Sequence, residues 1–260
     1  MTLGMHRFGP VSGLPVVLLH GFPLDFRMWE AVIAELPEVP VIAVDAPGFG
    51  ISPLPEGEPS LSVYADLLAE SLAEENVSSA VIVGLSMGGY AAMALAESRP
   101  ELFAGIGLLD TKAGADPEAA KQNRLAVADA AEGEDGSGAV APMIDAVLGA
   151  TTHAERPEVV EVLRTWLAEA PPAGIAWGQR AMAARPDRHA ALEKLDVPGL
   201  VLRGDEDDMS PADAAQQMAD ALGDDTELVT IAGAGHMTAM ETPDPVALAI
   251  RRLYERVRAG

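Results

Sequence analysis

The sequence predicts an α/β domain with a mostly parallel, twisted sheet flanked by helices and a helical cap inserted after a strand ending at Asp110. Three observations carry that expectation. Short β-branched apolar runs alternate with stretches of helical periodicity, several runs end at Gly or Asp within a residue or two, and the alternation lapses over residues 111–189.

Val16-Val17-Leu18-Leu19 and Val41-Ile42-Ala43-Val44 read as buried parallel strands ending at His20-Gly21 and at Asp45. Between them Asp25 can cap a helix whose Trp29, Val32, Ile33 and Leu36 recur at helical spacing before Pro37 stops it. A helix over about 60–75, a strand at 80–83, a helix from Met87 to Ser98 and a strand at 106–109 continue the pattern, wound right-handed. From Thr111 to about His189 only helical patterns recur, with Val159, Val162, Leu163, Trp166 and Leu167 expected on one face. Residues 132–138 read as a flexible break, and Pro171-Pro172 starts a later helix carrying Trp177 and Met182. Strands resume at 197–202 and 227–231, with helices over 211–222 and 243–257. The core is therefore expected to be residues 1–110 and 190–260, and the cap residues 111–189.

Composition narrows the function classes. At 260 residues, 49% hydrophobic and 22% charged, the chain can bury one sizeable core. Its net charge of −23, from 40 acidic and 17 basic residues, comes with no basic cluster to neutralise a phosphate backbone, so nucleic acid and anionic membranes are not expected partners. The acidity reads as a solvated, self-repelling surface. No apolar run has membrane-spanning length and residues 1–9 lack a secretory signal pattern, so a cytoplasmic monomer or homodimer is expected. With no Cys, the chain has no disulfide, no thiolate nucleophile and no cysteine-ligated metal.

Gly84-Leu-Ser-Met-Gly-Gly89 lies where a buried strand meets an amphipathic helix, the context in which a Ser is held on a sharp turn with its hydroxyl pointing out of the sheet. Serine is a weak nucleophile without a base, and His236 in Gly233-Ala-Gly-His236 follows the last strand. The other histidines lie near the terminus, after a strand, or in and beside the cap. The base needs an orienting carboxylate, for which Gly204-Asp-Glu-Asp-Asp-Met-Ser-Pro211 offers Asp207, with Asp110 at an earlier strand end as the competitor. The order Ser86, Asp207, His236 suits a strand–turn–helix nucleophile. Backbone N–H groups of Met87, and of Phe22 in His20-Gly-Phe-Pro-Leu-Asp25, are the candidate oxyanion donors. His20 and Asp45 read as structural, the latter as a turn residue bonding the backbone.

Taken together, His20 to Asp25, Asp45-Ala-Pro-Gly-Phe-Gly-Ile-Ser52, Gly84 to Gly89, Gly204 to Pro211 and Gly233 to Pro243 resemble the α/β-hydrolase superfamily. The nearest likeness is to small bacterial carboxylesterases, 3-oxoadipate enol-lactonase-like enzymes and cofactor-free haloperoxidase/perhydrolase-like esterases. The resemblance implies the α/β-hydrolase fold, a lid at the insertion, a structural loop ending at Ser52, Asp207 as the acid, and no metal or cofactor. The activity expected is hydrolysis of a small-molecule carboxylic ester or lactone through an acyl-enzyme on Ser86. A Ser where dehalogenases and epoxide hydrolases of the superfamily carry Asp argues against attack on alkyl carbon. Carbon–carbon bond hydrolysis or amide hydrolysis would use the same residues, and a non-catalytic receptor of the same fold is the alternative outside enzymes. Met143, Leu148, Trp166, Trp177 and Met182 in the cap, with Met237 beside His236, are candidates for an apolar substrate pocket, although the favoured reading of the cap residues is that they fill the cap's own core.

Overall fold

Short apolar runs pair into a sheet buried on both faces, because the segments between them supply amphipathic helices to cover it. The computed structural model describes all 260 residues. Strands β1 (Met5–Phe8), β2 (Val16–Leu19), β3 (Val41–Val44), β4 (Ala80–Leu85), β5 (Phe103–Leu109), β6 (Gly199–Gly204) and β7 (Thr226–Ile231) form one sheet in the order β1-β3-β2-β4-β5-β6-β7. All neighbours are parallel except β1, which pairs antiparallel with β3. The sequence does not announce β1. Its residues, Met-His-Arg-Phe, are only partly buried at the sheet edge, so they lack the apolar run that marks a central strand.

Twelve α-helices follow in chain order: α1 (Glu30–Ala34), α2 (Leu61–Glu74), α3 (Met87–Ser98), α4 (Glu118–Glu132), α5 (Ile144–Val147), α6 (Ala150–Glu155), α7 (Pro157–Glu169), α8 (Pro172–Ala183), α9 (His189–Leu192), α10 (Ala212–Leu222), α11 (Thr238–Glu241) and α12 (Pro243–Ala259). Helices α1 and α12 pack together, as do α2 with α3, α3 with α9 and α9 with α10, giving two helix layers on the sheet. Asp25 accepts from Arg27 N–H as a cap, opening a 3₁₀ turn at Phe26–Trp29 that leads into α1 and buries Trp29 and Val32.

Helices α4 to α9 all lie between β5 and β6, with α4 packed along α8. One local expectation is narrowed there and one fails. The break expected at 132–138 shortens to a turn at 133–135, between the end of α4 and a 3₁₀ helix over Gly136–Met143. The buried face of α7 is Val160, Leu163 and Leu167, while Val162 is exposed and Trp166 half-buried, so the apolar stripe is rotated from the one expected. β6 also begins two residues later than expected, since Pro198 has no N–H to give the ladder and Gly199 takes up the pairing.

The winding reverses between β2 and β4, which lead to neighbours on opposite sides. Ligands of open α/β sheets bind outside the carboxyl ends of strands at such a switch point. The loops after β2, β4, β5, β6 and β7 carry Phe22, Ser86, Asp110, Asp207 and His236 to that edge.

Candidate active site

Ser86 separates β4 from α3 and is held at φ 54°, ψ −111°, a conformation that non-glycine residues rarely adopt. Hydrogen bonds on both sides fix it. Its N–H donates to Leu109 O at 2.9 Å, and its carbonyl accepts from Thr111 Oγ1 at 2.9 Å and from Tyr90 N–H at 3.1 Å. The surrounding glycines are required by close approach. A Cβ on Gly84 would lie 2.3 Å from Gly88 O, and one on Gly88 would lie 2.1 Å from Leu19 O of β2.

Ser86 Oγ lies 2.8 Å from His236 Nε2, and His236 Nδ1 lies 2.9 Å from Asp207 Oδ2 and 3.1 Å from Oδ1. All three side chains are buried. Asp207 Oδ1 also accepts from the N–H groups of Met209 and Ser210, at 2.8 and 3.0 Å. Burial alone would raise its pKa, but the nearby His236, its hydrogen bond, and those two N–H groups together hold the carboxyl below its ordinary value. Asp207 is thus kept as an acceptor facing Nδ1–H, which leaves Nε2 with its lone pair toward the Ser86 hydroxyl.

Asp110 lies close by in another role. Fully buried at φ 47°, it accepts from Gly204 N–H at 3.1 Å, Thr238 N–H at 3.3 Å and Thr238 Oγ1 at 2.5 Å, and makes no hydrogen bond to His236. Burial, and then the charge on Asp207, push its pKa well above the usual carboxylate range. It ties β5 to the end of β6 and to the residues after His236.

Phe22 and Met87 are brought together by packing. A Cβ on Gly21 would lie 2.9 Å from Leu85 Cδ2, so the loop after β2 rests against the residue just before Ser86. Helix α8 covers both, since a Cβ on Gly178 would lie 3.1 Å from Phe22 Cδ2 and 3.5 Å from Met87 Sδ. His20 and Asp45 brace the neighbouring loops. His20 Nε2 accepts from Ala46 N–H at 2.8 Å, so Nδ1–H donates to Gly21 O at 3.0 Å, and burial lowers its pKa, keeping the ring neutral. Asp45 accepts from the N–H groups of Phe26 and Ile51.

One group escapes the sequence reading. Glu241 is buried and accepts from Gly235 N–H (2.9 Å), Met237 N–H (3.0 Å), Gly149 N–H (2.8 Å) and Thr152 Oγ1 (2.6 Å). It clamps the residues on either side of His236 to the start of α6 in the cap. A lone acid within Met237-Thr-Ala-Met-Glu241 was the only available signal. His236 N–H donates to Val147 O at 2.9 Å, so the cap also holds the histidine directly.

Ser86 and His236 open into a cavity of about 610 Å³ between core and cap. Of the expected pocket residues, Met143 and Met182 line it, together with Phe22. Leu148, Trp166, Trp177 and Met237 do not. Leu148, Trp177 and Met237 are buried in the hydrophobic core, and Trp166 lies away from the cavity with the Arg27 guanidinium over its ring at 5.1 Å. Nor is the cavity simply apolar: Lys112, Asp116, Arg124 and Gln179 form part of its wall. No three His, Asp or Glu side chains converge as a metal-ligand set, and no helix is long and apolar enough to cross a membrane.

Residues 16–249 match the alpha/beta hydrolase family, and the chain belongs to it as a hydrolase. Over 96% of this chain and 97% of the relative it is 29% identical to lipase LipV of Mycobacterium tuberculosis. The structure of a thermophilic esterase from Thermogutta terrifontis, with malate bound, superposes with a TM-score of 0.93 at 39% identity, covering 98% of this chain and 93% of that one. An enol-lactonase from Burkholderia xenovorans shares the fold at 22% identity and a TM-score of 0.88, over 97% and 96% of the two chains.

Proposed function

We propose that this hydrolase cleaves a carboxylic ester or lactone through an acyl-enzyme on Ser86. The observation that carries the reading is the continuous path from Ser86 Oγ through His236 to Asp207, with heavy-atom distances of 2.8 and 2.9 Å. His236 Nε2 takes the hydroxyl proton as Oγ attacks the carbonyl carbon, and the new oxyanion is received by the N–H groups of Phe22 and Met87. Collapse expels the alkoxide, which takes the proton from His236, and the acyl group stays on Oγ. Water, deprotonated by the same nitrogen, then releases the carboxylic acid and restores Ser86. Asp207, held ionised, stabilises the imidazolium that forms in each half-reaction. The names of the full-length relative and of the Thermogutta esterase support the ester as substrate class.

Labelling with a fluorophosphonate probe tests the assignment. Adduct mass on the peptide containing Ser86, absent in Ser86→Ala, is the expected result; an adduct on another residue, or none, contradicts it.

A further inference from the structure

The cap side of the cavity carries more positive charge than its fold needs. Asp116, with its side chain 1% exposed, is held in a two-pronged pair by Arg185, Nη1 to Oδ2 at 2.6 Å and Nη2 to Oδ1 at 2.8 Å. That guanidinium lies 4.0 Å over the Tyr90 ring and is itself buried, a structural ion pair in which both Nη atoms are bonded and only Nε has no partner. Two further cations crowd the same carboxylate. Arg124 Nε approaches Oδ2 at 2.6 Å, and Lys112 Nζ stands 3.6 Å from Oδ1, beyond hydrogen-bond reach.

Both extra cations face the cavity that contains Ser86. Arg124 uses Nε on Asp116 and Nη1 on Gln179, leaving Nη2 without a partner in the chain, and Lys112 Nζ makes no hydrogen bond at all. Their side chains are only 17% and 29% exposed, so each has lost much of its hydration without gaining a carboxylate of its own. Burial works against ionisation of Asp116, but the hydrogen bonds and charges of Arg185 and Arg124 hold its pKa well below the usual range, so it supplies one negative charge against three positive ones. Asp208, exposed on another part of the cavity wall, makes no ion pair with them. The cluster of Arg185, Arg124, Lys112 and Asp116 carries a local excess of about two positive charges inside a chain of net charge −23, and because surface charges more than about 8 Å away are largely screened, an anion in the cavity responds to this cluster before the general surface field.

We propose that Lys112 and Arg124 form an anion-binding subsite for the substrate's far end, and that the ester or lactone cleaved at Ser86 carries a carboxylate on its acyl chain. The inference rests on the hydrolase reading above and narrows its substrate class. Val127, Ala139 and Met143 line the same cavity and supply an apolar wall for the intervening methylenes. Lys112 and the unbonded Arg124 Nη2 supply the donors that a terminal carboxylate would accept from.

The test compares monoethyl esters of linear dicarboxylic acids, in graded chain length, with the matching ethyl esters whose far carboxylate is replaced by a neutral primary amide. At the best chain length, wild type should prefer the carboxylate at least about tenfold in kcat/KM, the worth of one hydrogen bond between charged groups. Lys112→Met should bring the ratio toward one, mainly through KM, Lys112→Arg should retain it, and Lys194→Met, which removes an exposed charge elsewhere, should leave it alone. A wild-type ratio of one or below at every length overturns the subsite. Hydrolysis of p-nitrophenyl acetate reports separately on the Ser86 reading. If that reading fails, calorimetric binding of adipate still decides the subsite, which requires an at least about tenfold loss of affinity in Lys112→Met. Inorganic phosphate competing as well as adipate would reassign the subsite to phosphate-bearing ligands and overturn the carboxylate.

Discussion

Replacing Glu241 by Gln tests whether the loop carrying His236 is held from beneath by one buried carboxylate. Four donors converge on it: Gly235 and Met237 N–H on Oε1, and Gly149 N–H and Thr152 Oγ1 on Oε2. A glutamine keeps one acceptor oxygen and turns an NH₂ toward donors. Thr152 can rotate its hydroxyl to accept from that NH₂, but the backbone N–H beside it has no such freedom. At least one or two bonds to a charged acceptor are lost, at about 1.5–3 kcal/mol each, so a destabilisation of about 3 kcal/mol is expected. For a chain of this length that lowers Tm on the order of 10 °C. Because Gly235 and Met237 flank His236, turnover of p-nitrophenyl acetate by the folded variant should also fall about tenfold through misplacement of the base. Circular-dichroism melts and initial rates measure both. A Tm within about 2 °C of wild type together with unchanged turnover would refute the clamp.

Asp207→Asn should lower kcat by about ten-thousandfold, whereas Asp110→Asn, which alters a carboxyl that makes no hydrogen bond to His236, should keep turnover within about tenfold; the reverse ranking in steady-state assays would move the acid to β5. Asp116 has a depressed pKa, so its stabilising ion pairs are fully present above the unfolded carboxylate pKa of about 4 and are lost as pH falls below it. The difference in Tm between wild type and Asp116→Asn should accordingly be largest near neutral pH and shrink as melts are taken below about pH 4; a difference that grows on acidification contradicts the sign. Gly88→Ala puts a Cβ 2.1 Å from Leu19 O, a backbone atom of a central strand that cannot yield. It should lower Tm by at least about 5 °C or prevent soluble expression, and a wild-type melt would show that α3 can shift away from β2.

What the sequence made legible depends on whether the constraint is local. The central strands are readable because burial on both faces demands unbroken apolar runs, and the turn at Ser86 because a strand-to-helix crossing this tight leaves no room for side chains at 84 and 88. β1 is not readable, since an edge strand carries only half a core. Within the cap, several stripes on α7 satisfy helical periodicity, and the stripe that packing buries is Val160, Leu163 and Leu167, on a helix that contacts α5, α6 and the 3₁₀ segment. The same ambiguity placed Trp166 in a pocket that it does not reach. Glu241 reaches Gly149 and Thr152, and Lys112 and Arg124 share a cavity with Ser86, relations set by residues far apart in the chain that no local pattern announces.

The central claim is that the Ser86 hydroxyl is the attacking group, and the direct measurement is p-nitrophenyl acetate turnover by Ser86→Ala, with near-UV circular dichroism to establish that the variant is folded. The hydroxyl sits on a turn fixed by backbone hydrogen bonds from Ser86 N–H to Leu109 O and from Thr111 Oγ1 to Ser86 O, so its removal should leave the fold intact. Turnover should drop at least about a thousandfold, to what an oxyanion site alone can sustain. A folded Ser86→Ala enzyme working within about tenfold of wild type would contradict the account.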